Sequence, residues 1–195
     1  FLMNMIIGDI VEAVFKGLLR AADVDFKDND SVTLKLKDGT EIRGEYDMVL
    51  DGKVDDVKSA SPWSYVNKFS SLESLAKSDS FGYVSQLVGY AKAAELDVGG
   101  WWVVNKANGE FKYVDASSVD ETTVMQEIEE TVEYINEDKP FERCFEAIPE
   151  TYFRKPTGNM VLGTECGFCS YKHKCWPNLK ELPSKAYKGK KTPPM

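Results

Sequence analysis

No apolar run in this chain approaches the roughly 20 residues needed to cross a bilayer, so the sequence reads as that of a soluble protein. Phe1 to Ile10 is apolar but has neither a basic leading region nor a small-residue cleavage site, and does not read as a signal peptide. The start at Phe rather than Met fits further sequence upstream. Positive charge is in deficit, with 24 Lys and Arg against 32 Asp and Glu and a net charge of -8. That balance argues against a protein that coats nucleic acid indiscriminately. There is no internal repeat. Cysteine is scarce and clustered: apart from Cys144, the cysteines are Cys166, Cys169 and Cys175, spaced Cys-x2-Cys-x5-Cys. This clustering suits a metal site in a reducing, cytoplasmic compartment better than a disulfide framework.

What is present is enough for a packed core. Of the 195 residues, 43% are hydrophobic and 12% aromatic, and one domain with a small appendage is the expectation for this length. The charge is unevenly placed. Residues 120–150 hold eleven acids against Lys139 and Arg143, and residues 166–195 hold seven lysines against Glu181. Solvated faces explain both runs, but the second leaves room for a local phosphate-binding surface.

The spacing of Ile6, Ile7, Ile10, Val11, Val14, Phe15 and Leu18 predicts an amphipathic helix over residues 4–20. Strands are expected over 31–37, 41–50 and 53–59, joined at Asp38-Gly39 and Asp51-Gly52 into a meander. A Ser-rich loop with a short helix follows over 63–80, then a helix over 81–96 stopped by Gly99-Gly100. Residues 101–105 and 111–114 read as paired strands, 118–138 as a long acidic helix, and the segment after Pro140 as irregular. Helices on the faces of one mixed sheet make this an α/β (α+β) fold. The expected divisions are a core over 1–140, a cysteine-bearing segment over 141–180 and a Lys/Pro-rich tail over 181–195.

The second hairpin carries the chemistry. With Asp51 and Gly52 as a two-residue turn, facing residues have numbers summing to 103, so Asp47 lies opposite Asp56. Two like charges about 5 Å apart at Cβ destabilise an antiparallel pair unless a cation lies between them. Lys58 shares their face, and Asp55 points to the other. Glu45 would face Lys58 across the hairpin and neutralise it. Gln86 and Tyr90 are four apart and share one helix face, with Tyr83 near them.

This order of elements, with Asp47 and Asp56-Val57-Lys58 on successive strands, resembles the PD-(D/E)XK nuclease superfamily, and within it the RecB-type exonuclease branch. Gln86-Leu-Val-Gly-Tyr90 matches that branch's Gln-x-x-x-Tyr motif, and Cys166, Cys169 and Cys175 match the knuckle of its iron-sulfur members, such as CRISPR-associated exonucleases. The resemblance spans residues 5–178 and implies a restriction-endonuclease-like core, with a central mixed sheet flanked by helices. It implies hydrolysis of DNA, single-stranded or at free ends, in recombination, repair or processing, with a recombination or replication protein as a further partner.

By the same resemblance, Asp47, Asp56 and the Val57 carbonyl would hold Mg2+ or Mn2+, and Lys58 would act on the attacking water or the transition-state charge. Gln86 would reach the scissile phosphate and Tyr90 the nucleic acid. Two departures stand out. Glu12 occupies the place where the family often carries a metal-binding histidine. The family's fourth cluster cysteine lies ahead of the first helix, where this sequence shows none: either it lies in sequence upstream of Phe1, or the fourth ligand of a 4Fe-4S cluster or of Zn2+ is Cys144 or the only histidine, His173. Two alternatives remain: a non-catalytic zinc or iron-sulfur module that binds nucleic acid, and an endonuclease of the same superfamily.

Overall fold

A computed structural model describes residues 2–137 and 142–180. The expected tail over 181–195 and the junction around Pro140 lie outside these residues. The chain divides into two compact units, 1–136 and 137–195.

In the first unit, helix α1 (Leu2–Ala21) precedes β1 (Asp30–Lys35), β2 (Glu41–Tyr46), β3 (Met48–Leu50) and β4 (Lys53–Ala60). Two short helices, α2 (Pro62–Val66) and α3 (Leu72–Ala76), lead to α4 (Tyr83–Ala94), β5 (Asp97–Asn105), β6 (Phe111–Asp115) and α5 (Glu121–Asn136). Strands β3-β4-β5-β6 form a mixed sheet in which only β4 and β5 run parallel. Such a parallel pair needs a crossover, and the segment α2 to α4 supplies it.

The central strands β4 and β5 are covered on both faces, which is why β4 reads as an almost continuous buried run. One face packs Val54, Ala60, Trp101 and Val103 with Leu87, Val88 and Ala91 of α4. The other packs Met48 and Val57 with Phe15 and Val11 of α1, joined by Trp102 and Val104. Helix α4 starts sharply because the Asp79 carboxylate accepts the free N–H groups of Tyr83 (2.9 Å) and Val84 (2.8 Å).

The structure corrects the expected meander. β1 and β2 form a separate two-stranded sheet, and the predicted strand over 41–50 breaks at Asp47. Gly99-Gly100 does not stop the helix, which ends at Glu95 in the left-handed region; both glycines lie inside β5. In the second unit, the segment expected to be irregular contains the hairpin β7 (Ile148–Tyr152) and β8 (Lys155–Val161), then the short helices α6 (Thr164–Phe168) and α7 (Lys172–Cys175). Phe153 and Arg154 turn that hairpin with φ of 47° and 63°, a geometry that Asn-Gly would have signalled and this pair does not. Among the described residues no helix is long and apolar enough to cross a membrane.

The Asp51-Gly52 turn has φ of 50° and 77°, so it needs a residue free of Cβ strain. Gly52→Ala is expected to cost about 1 kcal/mol, read as a lower urea midpoint at unchanged slope, while Asp51→Asn leaves the midpoint in place.

Candidate functional site

The hairpin register follows the sum of 103: Met48 pairs with Asp55, Val49 with Val54 and Leu50 with Lys53. Asp47 sits one step beyond this ladder, in the break between β2 and β3. Its Oδ2 accepts the Val57 N–H at 2.7 Å, which ties the break to β4. Asp56 is 4% exposed. The Lys58 ammonium donates to its Oδ1 at 2.7 Å and lies 2.6 Å from Oδ2. That second approach is an ion pair without hydrogen-bond alignment, so Oδ2 is buried with no hydrogen-bond donor.

Burial pushes the Asp56 carboxyl up to about 7; the Lys58 charge opposes this, while the negative charges of Asp47 and Glu12 add to it. Burial works against the Lys58 charge, yet Asp56 and Asp47 outweigh it and its pKa is raised. The Tyr83 ring lies 5.4 Å from the Lys58 ammonium and gives it a π-face. Asp47, Asp56 and Lys58 are therefore brought together. Glu45 is not among them: β2 pairs with β1, and the Glu45 carboxylate accepts from Asn29 at 2.6 Å.

Glu12 lies close enough for its charge to act on Asp56, but its carboxylate is taken by Lys16 at 2.6 Å. Lys16 is 4% exposed and also reaches Asp28 at 2.8 Å, and Arg20 pairs with Asp28 in turn. Sequence reasoning missed Lys16, although its i,i+4 spacing from Glu12 is a readable signal. Among the described residues no group of three or more His, Cys, Asp or Glu is placed to hold a metal. Glu12, Asp47 and Asp56 therefore do not form a finished three-carboxylate set, and the physical reason is that Lys16 and the Val57 N–H engage two of them.

On α4 the Gln86 amide donates to the Tyr90 hydroxyl at 3.1 Å. The Tyr90 ring rests on Gly44 of β2, where any Cβ would overlap it. Both side chains line a cavity of about 260 Å³ with Val32, Ile42, Arg43 and Ile128. The helix face thus carries Tyr83 toward Lys58 and Gln86 and Tyr90 toward this cavity.

The expected cysteine knuckle needs correction. The four thiols are free: Cys166 is buried, Cys169 and Cys175 are half-buried and Cys144 is exposed. They do not converge as a ligand set; the Cys169 sulfur is engaged locally, accepting the Tyr171 N–H at 3.4 Å. They do sense one another: burial, then the charges of Cys169, Cys175, Glu165 and Cys144, push the Cys166 thiol up. Arg143 holds the Cys144 segment by donating to the Cys175 carbonyl at 3.0 Å and stacking 4.0 Å over Trp176.

No family model matches the chain, and no curated protein matches it. A solved structure, "Crystal structure of SSO0001", is similar at 15% identity with a TM-score of 0.52, covering 91% of this chain and 72% of that one. The likeness is one of fold.

An unfolded Asp titrates near pH 3.9, whereas Asp56 in the metal-free fold titrates at about 7. Between these values the folded protein keeps a proton that the unfolded chain has lost, so Asp56 makes stability fall as pH rises through the window. Thermal melts should show wild type losing ground to Asp56→Asn from about pH 4 to about pH 7. Mg2+ or Mn2+ at the upper end should raise the melting temperature of wild type alone. A pH-independent gap between the two proteins would contradict this.

Proposed function

We propose that this chain is a metal-dependent DNA exonuclease with a restriction-endonuclease-like core, hydrolysing phosphodiester bonds of single-stranded DNA or DNA ends in recombination, repair or processing. The observation that carries the reading is Asp56: a buried carboxylate, paired with Lys58 and neighboured by Asp47, whose Oδ2 lies 2.6 Å from the Lys58 ammonium yet makes no aligned hydrogen bond. A buried acceptor without a donor is costly, and a divalent cation would remove that cost. Hard oxygens from Asp47, Asp56 and the Val57 carbonyl suit Mg2+ or Mn2+, with Glu12 joining by giving up Lys16. Such an ion, when bound, polarises a phosphoryl oxygen and lowers the pKa of water.

The chain's own groups do the rest. Lys58, kept charged by Asp56, orients a water or stabilises the charge that develops on phosphorus-bound oxygens. Gln86 would offer an amide to a phosphate that reaches the cavity it lines with Tyr90, while Tyr83 and Lys68, whose ammonium is 4.7 Å from the Tyr83 ring, present aromatic and cationic groups beside Lys58.

The resemblance also implies a 4Fe-4S cluster or Zn2+ on Cys166, Cys169 and Cys175. The thiols as placed are not a ligand set, so no step is derived through such a centre.

Degradation of end-labelled single-stranded DNA with Mg2+ or Mn2+ tests the nuclease. Lys58→Ala should lose about 10²-fold or more in kcat while its circular dichroism is unchanged. Wild type inert on linear and circular DNA with both metals would leave a binding module, and cleavage of circles would identify an endonuclease.

A further inference from the structure

We infer that Asp55 is a positioning residue for the site on the opposite face of β4: its carboxylate clamps an extra residue of β5 and so sets where Asp56, Val57 and Lys58 stand. The functional consequence rests on the nuclease reading above; the clamp itself does not.

The β4–β5 ladder changes offset at this point. Lys53 and Val54 pair with Asp97 and Val98, but Asp56, Val57 and Lys58 pair with Trp101, Trp102 and Val103. One more residue is spent on β5 than on β4, so β5 carries a bulge at Gly99-Gly100, facing Asp55. A bulge disrupts ladder hydrogen bonds locally, and a buried N–H must find another acceptor. Asp55 supplies it: its Oδ1 accepts the Gly100 N–H at 2.8 Å and the Tyr113 hydroxyl at 2.9 Å, and its Oδ2 accepts the Trp102 Nε1–H at 3.0 Å. A Cβ on Gly99 would overlap the Asp55 carboxylate, and one on Gly100 would overlap the Val114 carbonyl. The glycine pair is thus what lets the carboxylate reach the bulge.

The consequence for the site follows from strand periodicity. A one-residue slip exchanges the faces of every following side chain. The bulge puts Trp101 and Val103 in the core under Asp56 and Lys58 and sends Trp102 to the α1 face. Stability alone is a poor reason for an acid here. Asp55 is 2% exposed, and burial raises its pKa despite Tyr113, Trp102 and Gly100. Buried ionic groups are weak contributors to stability, and their best-attested use is to fix register.

Asp55→Asn places an amide N–H₂ against one of three donors and breaks part of the clamp. Amide hydrogen exchange on the metal-free protein is the direct test. The Val57 N–H, which bonds Asp47 across the hairpin, should exchange about tenfold faster or more, while Leu87 and Val88 in α4 keep wild-type protection. Mn2+ affinity, measured calorimetrically without DNA, should fall about 10- to 100-fold. Wild-type protection at Val57, or a uniform rise that includes α4, overturns the proposal. Should Asp55→Asn fail to fold, Tyr113→Phe and Trp102→Phe each remove one donor and should give the same localised pattern at smaller size; no change, or a uniform change, overturns it. If wild type binds no Mn2+, the nuclease reading loses its metal, and the exchange pattern alone upholds or overturns the clamp.

Discussion

The site depends on the withdrawal of the Asp56 carboxylate from water. Buried on β4 between two packed faces, that group loses a hydration worth several kcal/mol and recovers only part of it from Lys58. Nearby acids worsen the balance, since Asp47 and Glu12 both oppose its ionisation. The surroundings then read as partial compensations. The Val57 N–H takes up Asp47, Lys16 takes up Glu12, and Lys58 is kept charged by the acids it faces.

Asp55 and Asp56 are an internal comparison. They are neighbours of one residue type on one strand, both nearly inaccessible. Alternation sends them to opposite faces, and only there do they differ. Asp55 receives three donors, from a backbone amide, an indole and a phenol whose proton is itself held by burial and the Asp55 charge. Asp56 receives one ammonium and keeps an oxygen without a donor. Burial alone therefore does not separate these two acids; the count of donors does. Asp55 is satisfied and holds backbone in place, whereas Asp56 Oδ2 has the Lys58 charge beside it and no hydrogen bond.

Much of this was legible from spacing. The Asp-Gly turn and a period of two sufficed to place Asp47 near Asp56, with Asp55 on the other side. Helix α4 and the pairing of Gln86 with Tyr90 were legible for the same reason, because a fixed period turns sequence distance into a face. What was not legible depended on non-local choices. The break at Asp47 exists because β2 finds its partner in β1 rather than in the main sheet. Gly99-Gly100 looked like a helix stop, since nothing local shows that a carboxylate 44 residues before Gly99 will occupy the space its side chain would need, or that the Val114 carbonyl will occupy that of Gly100. The cysteine spacing was plain, but spacing does not decide where sulfurs point, and the folded thiols do not converge.

Lys16 shows how the acidic side of the site could change partners at low cost. Glu12 could not leave a buried lysine that had no other acid, because the stranded cation would cost about 3–5 kcal/mol. Here the lysine has a second partner: Asp28 sits 2.8 Å away and is supported by Arg20. The bonds from Lys16 and the Asn29 amide, with the nearby positive charges, keep the Asp28 carboxyl below its ordinary range and hence ionised. If Glu12 turned toward a cation shared with Asp56, Lys16 would still be paired. Under the proposed metal-dependent reading, the negative charge now opposing Asp56 would then face the cation instead, while Lys16 kept Asp28 as its acid partner.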